Sequence, residues 1–432
     1  MDKINEGVVI ALEGSPSTSE FSFVINPKSK DKIKKGQYIQ TENEEGIIFG
    51  YVNELVRANR YFERAESVAE YEKSGSFKDH FPSDDWEYLI ASTKVLGVFK
   101  NGKFSRTSLP PYPGSGVLRA DEKMLKEFLG FEDNGIFLGK LKHHELEVKI
   151  KMHKLFQKHL AILAMSGAGK SHLAAVMLEE LMDRKKEQGR IAVVVIDIHG
   201  EYAGFSKDRE YSNRVKVVEG KNIKIKFRSL SASLLFEWFP ELSYVGKSII
   251  TGIFSEMKKE EKTERKEYLL DDFIQRLNEH KAKDTIKEPI RRAVYELKNY
   301  RLVGKRDNPK VINDLKPGNM LVLDLSDIDN MKKKRMIAAY IGKKLFSLRK
   351  KGRIPPFLLL VEEAHNFATE KIDKYSNISK PVIEKIAREG RKFGACLCLI
   401  SQRPVNLSTT ALSQCNTHII LRVTNPNDLK HI

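Results

Sequence analysis

From Ala164 to Ser171 the chain reads Ala-Met-Ser-Gly-Ala-Gly-Lys-Ser, a turn of small residues closed by a lysine and a hydroxyl. Glycines at this spacing let backbone N–H groups turn inward around an anion, and a helix starting at the lysine adds the positive end of its dipole. These are the parts of a nucleotide phosphate loop. Ser166, Gly167, Ala168, Gly169 and His172 are expected to line it, Lys170 to reach the β- and γ-phosphates, and the Ser171 hydroxyl to bind Mg²⁺. The common pattern has glycine where Ala164 stands. Alanine serves there if the position needs little room rather than a positive φ. A second Gly-Lys-Ser, at 246–248, has no strand before it and no glycine loop, and reads as chance.

Three further groups complete a hydrolytic set. Glu362 and Glu363 follow the apolar run Phe357–Val361. A carboxylate at the end of a buried strand can hold the water shell of Mg²⁺, the role expected of Glu362. Its neighbour Glu363 is placed to orient and deprotonate an attacking water. Gln402 ends another apolar run, where its amide can sense the γ-phosphate or the lytic water. Arg388 and Arg391 stand three apart, on one face of a helix expected over 383–391. A guanidinium inserted at a neighbour's γ-phosphate stabilises transition-state charge, so this pair implies a ring of subunits.

The elements that must position these groups alternate. The Leu160–Ala164 run, a helix over 173–184 and the continuous apolar run Ile191–Asp197 read as an α/β core with buried parallel strands. Asp197-Ile-His-Gly-Glu-Tyr202 lies at a strand end, where ligands bind in such sheets. No Asn-Lys-x-Asp guanine reader follows it, which argues against a GTPase. Residues 229–305 carry apolar stripes at helical spacing (Val245, Ile249 and Ile253; then Leu269 to Leu277 and Ile290 to Leu297) and read as an inserted helical bundle. The α/β pattern resumes with Met320–Leu325, a helix over 332–349, Phe357–Val361, Ala395–Ser401 and His418–Val423. Residues 1–145 carry short apolar or alternating runs separated by turn residues, which suggests a small β-barrel. A polar stretch over 61–85 reads there as a loop with some helix. The core is expected over 146–432.

Composition bounds the class. The 432 residues suffice for two or three domains, and no apolar run approaches the roughly 18–20 residues of a membrane span. The polar start shows no signal peptide, and Cys396, Cys398 and Cys415 have no metal-site spacing, so a reducing cytoplasm is expected. Lys plus Arg exceeds Asp plus Glu by 75 to 58, a net +17 that suits a polyanionic partner.

Taken together, His159–Ser171, Asp197–Tyr202, Val361-Glu-Glu-Ala-His365, Ile386–Gly394 and Ser401-Gln-Arg-Pro404 resemble, in order and spacing, the HerA family of archaeal DNA translocases within the HerA/FtsK class. The resemblance implies a RecA-like P-loop core with a HAS-barrel-like N-terminal domain, assembled as a homohexamer that drives double-stranded DNA through a basic channel with ATP and Mg²⁺. It implies Lys170, Glu363 and Gln402 as catalytic groups and Arg388 or Arg391 as the trans-acting finger. It further implies work in DNA end resection for double-strand break repair, with a NurA-type nuclease docked on the barrel and the recombination nuclease complex as a further contact. Family chains continue past this length, so a C-terminal segment is expected beyond Ile432. Two other readings fit the core: a motor of the same class that moves protein or DNA in secretion or conjugation, and a scaffold whose assembly nucleotide controls.

Overall fold

The computed structural model describes residues 5–12, 14–59, 87–264, 267–371 and 378–431. It divides into two compact units, Met1–Ile150 and Lys151–Ile432.

In the first unit, strands β1 (Gly7–Ile10), β2 (Glu20–Ile25), β3 (Tyr38–Asn43), β4 (Gly46–Asn59), β5 (Glu87–Lys100), β6 (Lys103–Ser105) and β7 (Gly116–Arg119) form one antiparallel sheet. The order β2-β1-β7-β3-β4-β5 closes through a β2–β5 pairing, giving a six-stranded barrel with β6 appended to β5. Val9, Phe21, Phe23, Ile25, Ile39, Val52, Ala91 and Val117 fill the interior. The long β4–β5 ribbon is broken by register shifts at Phe49/Gly50 and Val52/Glu54, and such bulges bend a ribbon around a barrel. Gly50 is required at the first of them, because a Cβ there would meet the Thr93 methyl at 2.5 Å.

The unit is not wholly β. Glu122–Leu129 is a helix, opened by the Asp121 side chain accepting the Met124 N–H and closed by Gly130 at φ 68°. The hairpin β8 (Phe131–Lys140) with β9 (Glu147–Ile150) follows. Because residues 147–150 pair with β8, the boundary falls at 150/151 rather than the expected 145/146. The 61–85 stretch expected as a loop with some helix lies outside the described residues.

In the second unit come β10 (Leu160–Leu163), β11 (Ala192–Asp197), β12 (Val215–Glu219), a two-residue pair β13 (Ile225–Lys226) and β14 (Val303–Gly304), then β15 (Met320–Asp324), β16 (Phe357–Val361), β17 (Ala395–Ser401) and β18 (Thr417–Ile420). Seven of these form a parallel sheet ordered β12-β15-β11-β16-β17-β10-β18. Strands β10, β11 and β16 are buried along their whole length, as a parallel sheet covered on both faces demands. Helices Lys170–Asp183, Met331–Lys350 and Lys380–Glu389 connect strands of this sheet. Helices Ala232–Trp238, Tyr244–Glu264, Leu270–Glu279 and Asp284–Asn299 form the inserted bundle, with Trp238, Phe273, Leu277, Ile290 and Leu297 at its core. The 246–248 Gly-Lys-Ser lies inside the second of these helices. Val245, expected on its apolar stripe, is half exposed, so the buried stripe begins at Ile249. No helix among the described residues is long and apolar enough to cross a membrane.

One residue of the first unit, in the turn between β8 and β9, makes stability pH-dependent. Buried His144 accepts the Tyr38 N–H at Nε2 (3.1 Å), and burial, with Arg119 beside it, pushes its pKa from 6.5 down to about 4. Above 6.5 the ring is neutral both folded and unfolded; below it the unfolded chain takes up a proton that the folded one refuses. Stability is therefore lost as the pH falls from 6.5 towards 4. Thermal unfolding followed between pH 7.5 and 5 should show the melting temperature falling, and His144→Gln should flatten that slope.

Candidate active site

The phosphate loop joins β10 to the helix Lys170–Asp183. Gly167 and Gly169 adopt φ of 73° and 94°, and nothing lies within 4 Å of where a Cβ would stand on either. Both glycines are therefore required by backbone conformation, and the loop keeps open space at each. Ala164 is fully buried with no positive φ and donates its N–H to the Ser401 carbonyl at 3.2 Å, so alanine satisfies that position. Lys170 Nζ donates to the Met165 carbonyl at 3.2 Å, which folds the amine back over its own loop. Ser171 sits half-buried in the first helical turn, while His172 is exposed.

Strand β17 lies between β10 and β16, with Leu163 opposite Ser401 and Val361 opposite Leu399. The strands run parallel, so the phosphate loop, Gln402 and Glu363 leave the same edge of the sheet. Two inter-strand spacings set the loop and Glu363 about 10 Å apart, with Gln402 between them.

Glu363 is the strained residue of the site. Its backbone is left-handed (φ 45°, ψ 49°), a conformation costing a non-glycine residue on the order of 1 kcal/mol. The bend turns the carboxylate into the site, where it accepts the Gln402 backbone N–H. Burial pushes its pKa up, and Lys170, the Gln402 N–H and His199 pull it back. Its Oε2 is buried with no hydrogen bond, although His365 Nδ1 lies 3.2 Å away. Burial drives His365 down to about 4, so the ring is neutral, and its Nδ1 also meets Ser401 Oγ at 3.1 Å. A buried carboxylate oxygen left unpaired beside a lysine is the acceptor that an attacking water needs.

Glu362 points elsewhere. Its Oε2 accepts the Ile198 N–H at 3.1 Å, and burial with Asp197 beside it pushes its pKa up to about 9. Asp197 is itself occupied, accepting backbone N–H groups from His199, Gly200, Glu201 and Tyr202. Glu362 thus also braces the 197–202 loop, through the Ile198 N–H. The described residues hold no group of three or more acidic, His or Cys side chains suited to a metal ion. Mg²⁺ at this loop would rest on the Ser171 hydroxyl and the phosphates, supplying charge neutralisation there.

The arginines are not in this site. The helix ends at Glu389 and a 3₁₀ turn spans Gly390–Phe393, so Arg388 and Arg391 do not share one α-helical face as expected. Both are exposed; Arg388 forms an ion pair with Glu384 at 3.7 Å. They precede β17, whereas Gln402 follows it. Seven strand residues separate the two ends by roughly 20 Å.

The HAS barrel domain family matches residues 8–101, and the family described as helicase HerA, central domain, matches 136–345. A probable helicase of Methanocaldococcus jannaschii is 32% identical over 99% of this chain and 83% of its own. The chain belongs to the HerA helicase family. The DNA double-strand break repair helicase HerA of Pyrococcus furiosus is 26% identical over 99% of this chain and 85% of its own. The structure of VirB4 of Thermoanaerobacter pseudethanolicus covers 69% of this chain and 87% of its own, at 18% identity and a TM-score of 0.51, which shows a shared fold. As a HerA-family P-loop enzyme, the chain binds nucleotide and hydrolyses ATP.

Sequence reasoning missed two parts of this site. His365 and Ser401 stand 36 residues apart and meet only because β16 and β17 are paired. Brace Glu362 was visible as a residue but not as a brace, since its partner Asp197 comes from β11. Two substitutions separate binding from chemistry. Lys170→Ala should weaken ATP binding at least tenfold. Glu363→Gln should leave binding within about threefold while hydrolysis falls about 100-fold or more. Nucleotide titration beside steady-state phosphate release reads both.

Proposed function

We propose that this chain is the subunit of a homohexameric ring that translocates double-stranded DNA, with Mg²⁺-ATP hydrolysed between subunits. The observation that carries the proposal is the separation of Arg388 and Arg391 from Glu363 by the length of β17. Within one subunit no arginine of that pair can meet the γ-phosphate, so the hydrolytic set is complete only where a neighbour's arginines enter it. The net +17 suits a phosphate-lined polymer, and the repair helicases among its relatives supply the substrate class. In this reading Gln402 senses the phosphate through the strand that ends beside Glu363. The barrel is the docking unit for a NurA-type nuclease, and the ring feeds it DNA ends during resection.

Two measurements test the reading. Linear duplex DNA should raise ATP turnover several-fold in a sample sized as a hexamer, and turnover indifferent to DNA would overturn the translocase assignment. An Arg388→Ala/Arg391→Ala subunit and a Glu363→Gln subunit should each be inactive alone and regain activity when mixed. An inactive mixture would refute action in trans.

A further inference from the structure

His159 carries a role that the hydrolytic set does not use. It directly precedes β10, the strand that ends in the phosphate loop, and is 1% exposed. Its backbone is left-handed at φ 65°, an unfavourable conformation for a residue with a Cβ. Both ring nitrogens are engaged. The Leu397 N–H of β17 donates to Nδ1 at 3.0 Å, so Nδ1 accepts and the proton resides on Nε2. Nε2 then donates to the Ala387 carbonyl at 2.8 Å. Burial disfavours the charged ring, which keeps this tautomer. Gly390 makes the fit possible, since a Cβ on it would lie 3.3 Å from the ring and 2.3 Å from the Ala395 carbonyl.

The three contacts converge on one segment. Ala387 directly precedes Arg388, Gly390 directly precedes Arg391, and Leu397 follows the turn that carries them. The arginines themselves are exposed, and Arg388 pairs with Glu384 at the long distance of 3.7 Å. We propose that His159 is a positioning residue: by gripping the Ala387 carbonyl and the Leu397 amide it sets the placement of the 388–391 segment, and so ties the arginines a subunit offers its neighbour to the strand that carries its own phosphate loop. This rests on the trans-finger reading above. Its consequence is directional, because a defect at His159 harms the neighbour's site and spares its own.

Mixed rings expose that direction. His159→Ala alone should form rings of normal size, bind ATP within about threefold of the unaltered protein, and lose turnover about 100-fold, the scale of a misplaced catalytic group. Mixed with Glu363→Gln, it should regain activity, because the Glu363→Gln subunit offers intact arginines to the His159→Ala subunit's intact site. Mixed with Arg388→Ala/Arg391→Ala, it should stay inactive, because neither subunit offers a placed arginine. The reverse pattern would overturn the proposal and make His159 a support of its own nucleotide loop. Turnover unchanged in His159→Ala rings would also overturn it. His159→Asn tolerates the left-handed backbone and carries the same test if the alanine variant does not assemble. Failure of the arginine and Glu363→Gln pair to complement each other would instead refute the trans-finger reading, so the two failures are distinct.

Discussion

The hydrogen-bonded register of three parallel strands holds this site together. Strand β10 leads to the phosphate loop, β16 to the paired acids, and β17 lies between them with partners on both sides. Lys170, Gln402 and Glu363 are separated by far too many residues for local structure to relate them. They meet because these strands run the same way and end within two residues of one another in register. A slip of one residue in β17 would turn every side chain to the other face of the sheet, and would move the Gln402 N–H away from the carboxylate it binds.

Around this frame the charges are arranged unequally. Two adjacent glutamates leave β16, and the fold gives them opposite environments. Glu362 faces Asp197, whose oxygens hold four backbone amides; burial beside that carboxylate raises its pKa, and it holds the Ile198 amide as a brace. Glu363 faces Lys170 and an amide, with one oxygen unpaired.

What could be read from the sequence was what chemistry imposes locally. A phosphate loop needs its glycines, lysine and hydroxyl next to one another, so 164–171 was legible, including the tolerance of Ala164. Buried parallel strands need continuous apolar runs, so the core strands were legible too. The helix Glu122–Leu129 was not, because eight residues with sound caps are easily lost among strand signals. The arginine pair was misdrawn because Gly390 ends the helix between its members. His159, His365 and the bracing of Glu362 depend on partners 36 to 238 residues away, and no spacing rule reaches that far.

The left-handed turn at Glu363 has a cost beyond catalysis. The residue combines an unfavourable backbone, a buried carboxyl and an oxygen without a hydrogen bond. Asparagine would adopt the same backbone more readily and need no charge to be buried. The native side chain is thus a poor choice for folding and a necessary one for hydrolysis. Selection for thermal stability alone would drift away from glutamate at 363, and only the demand for turnover holds it in place.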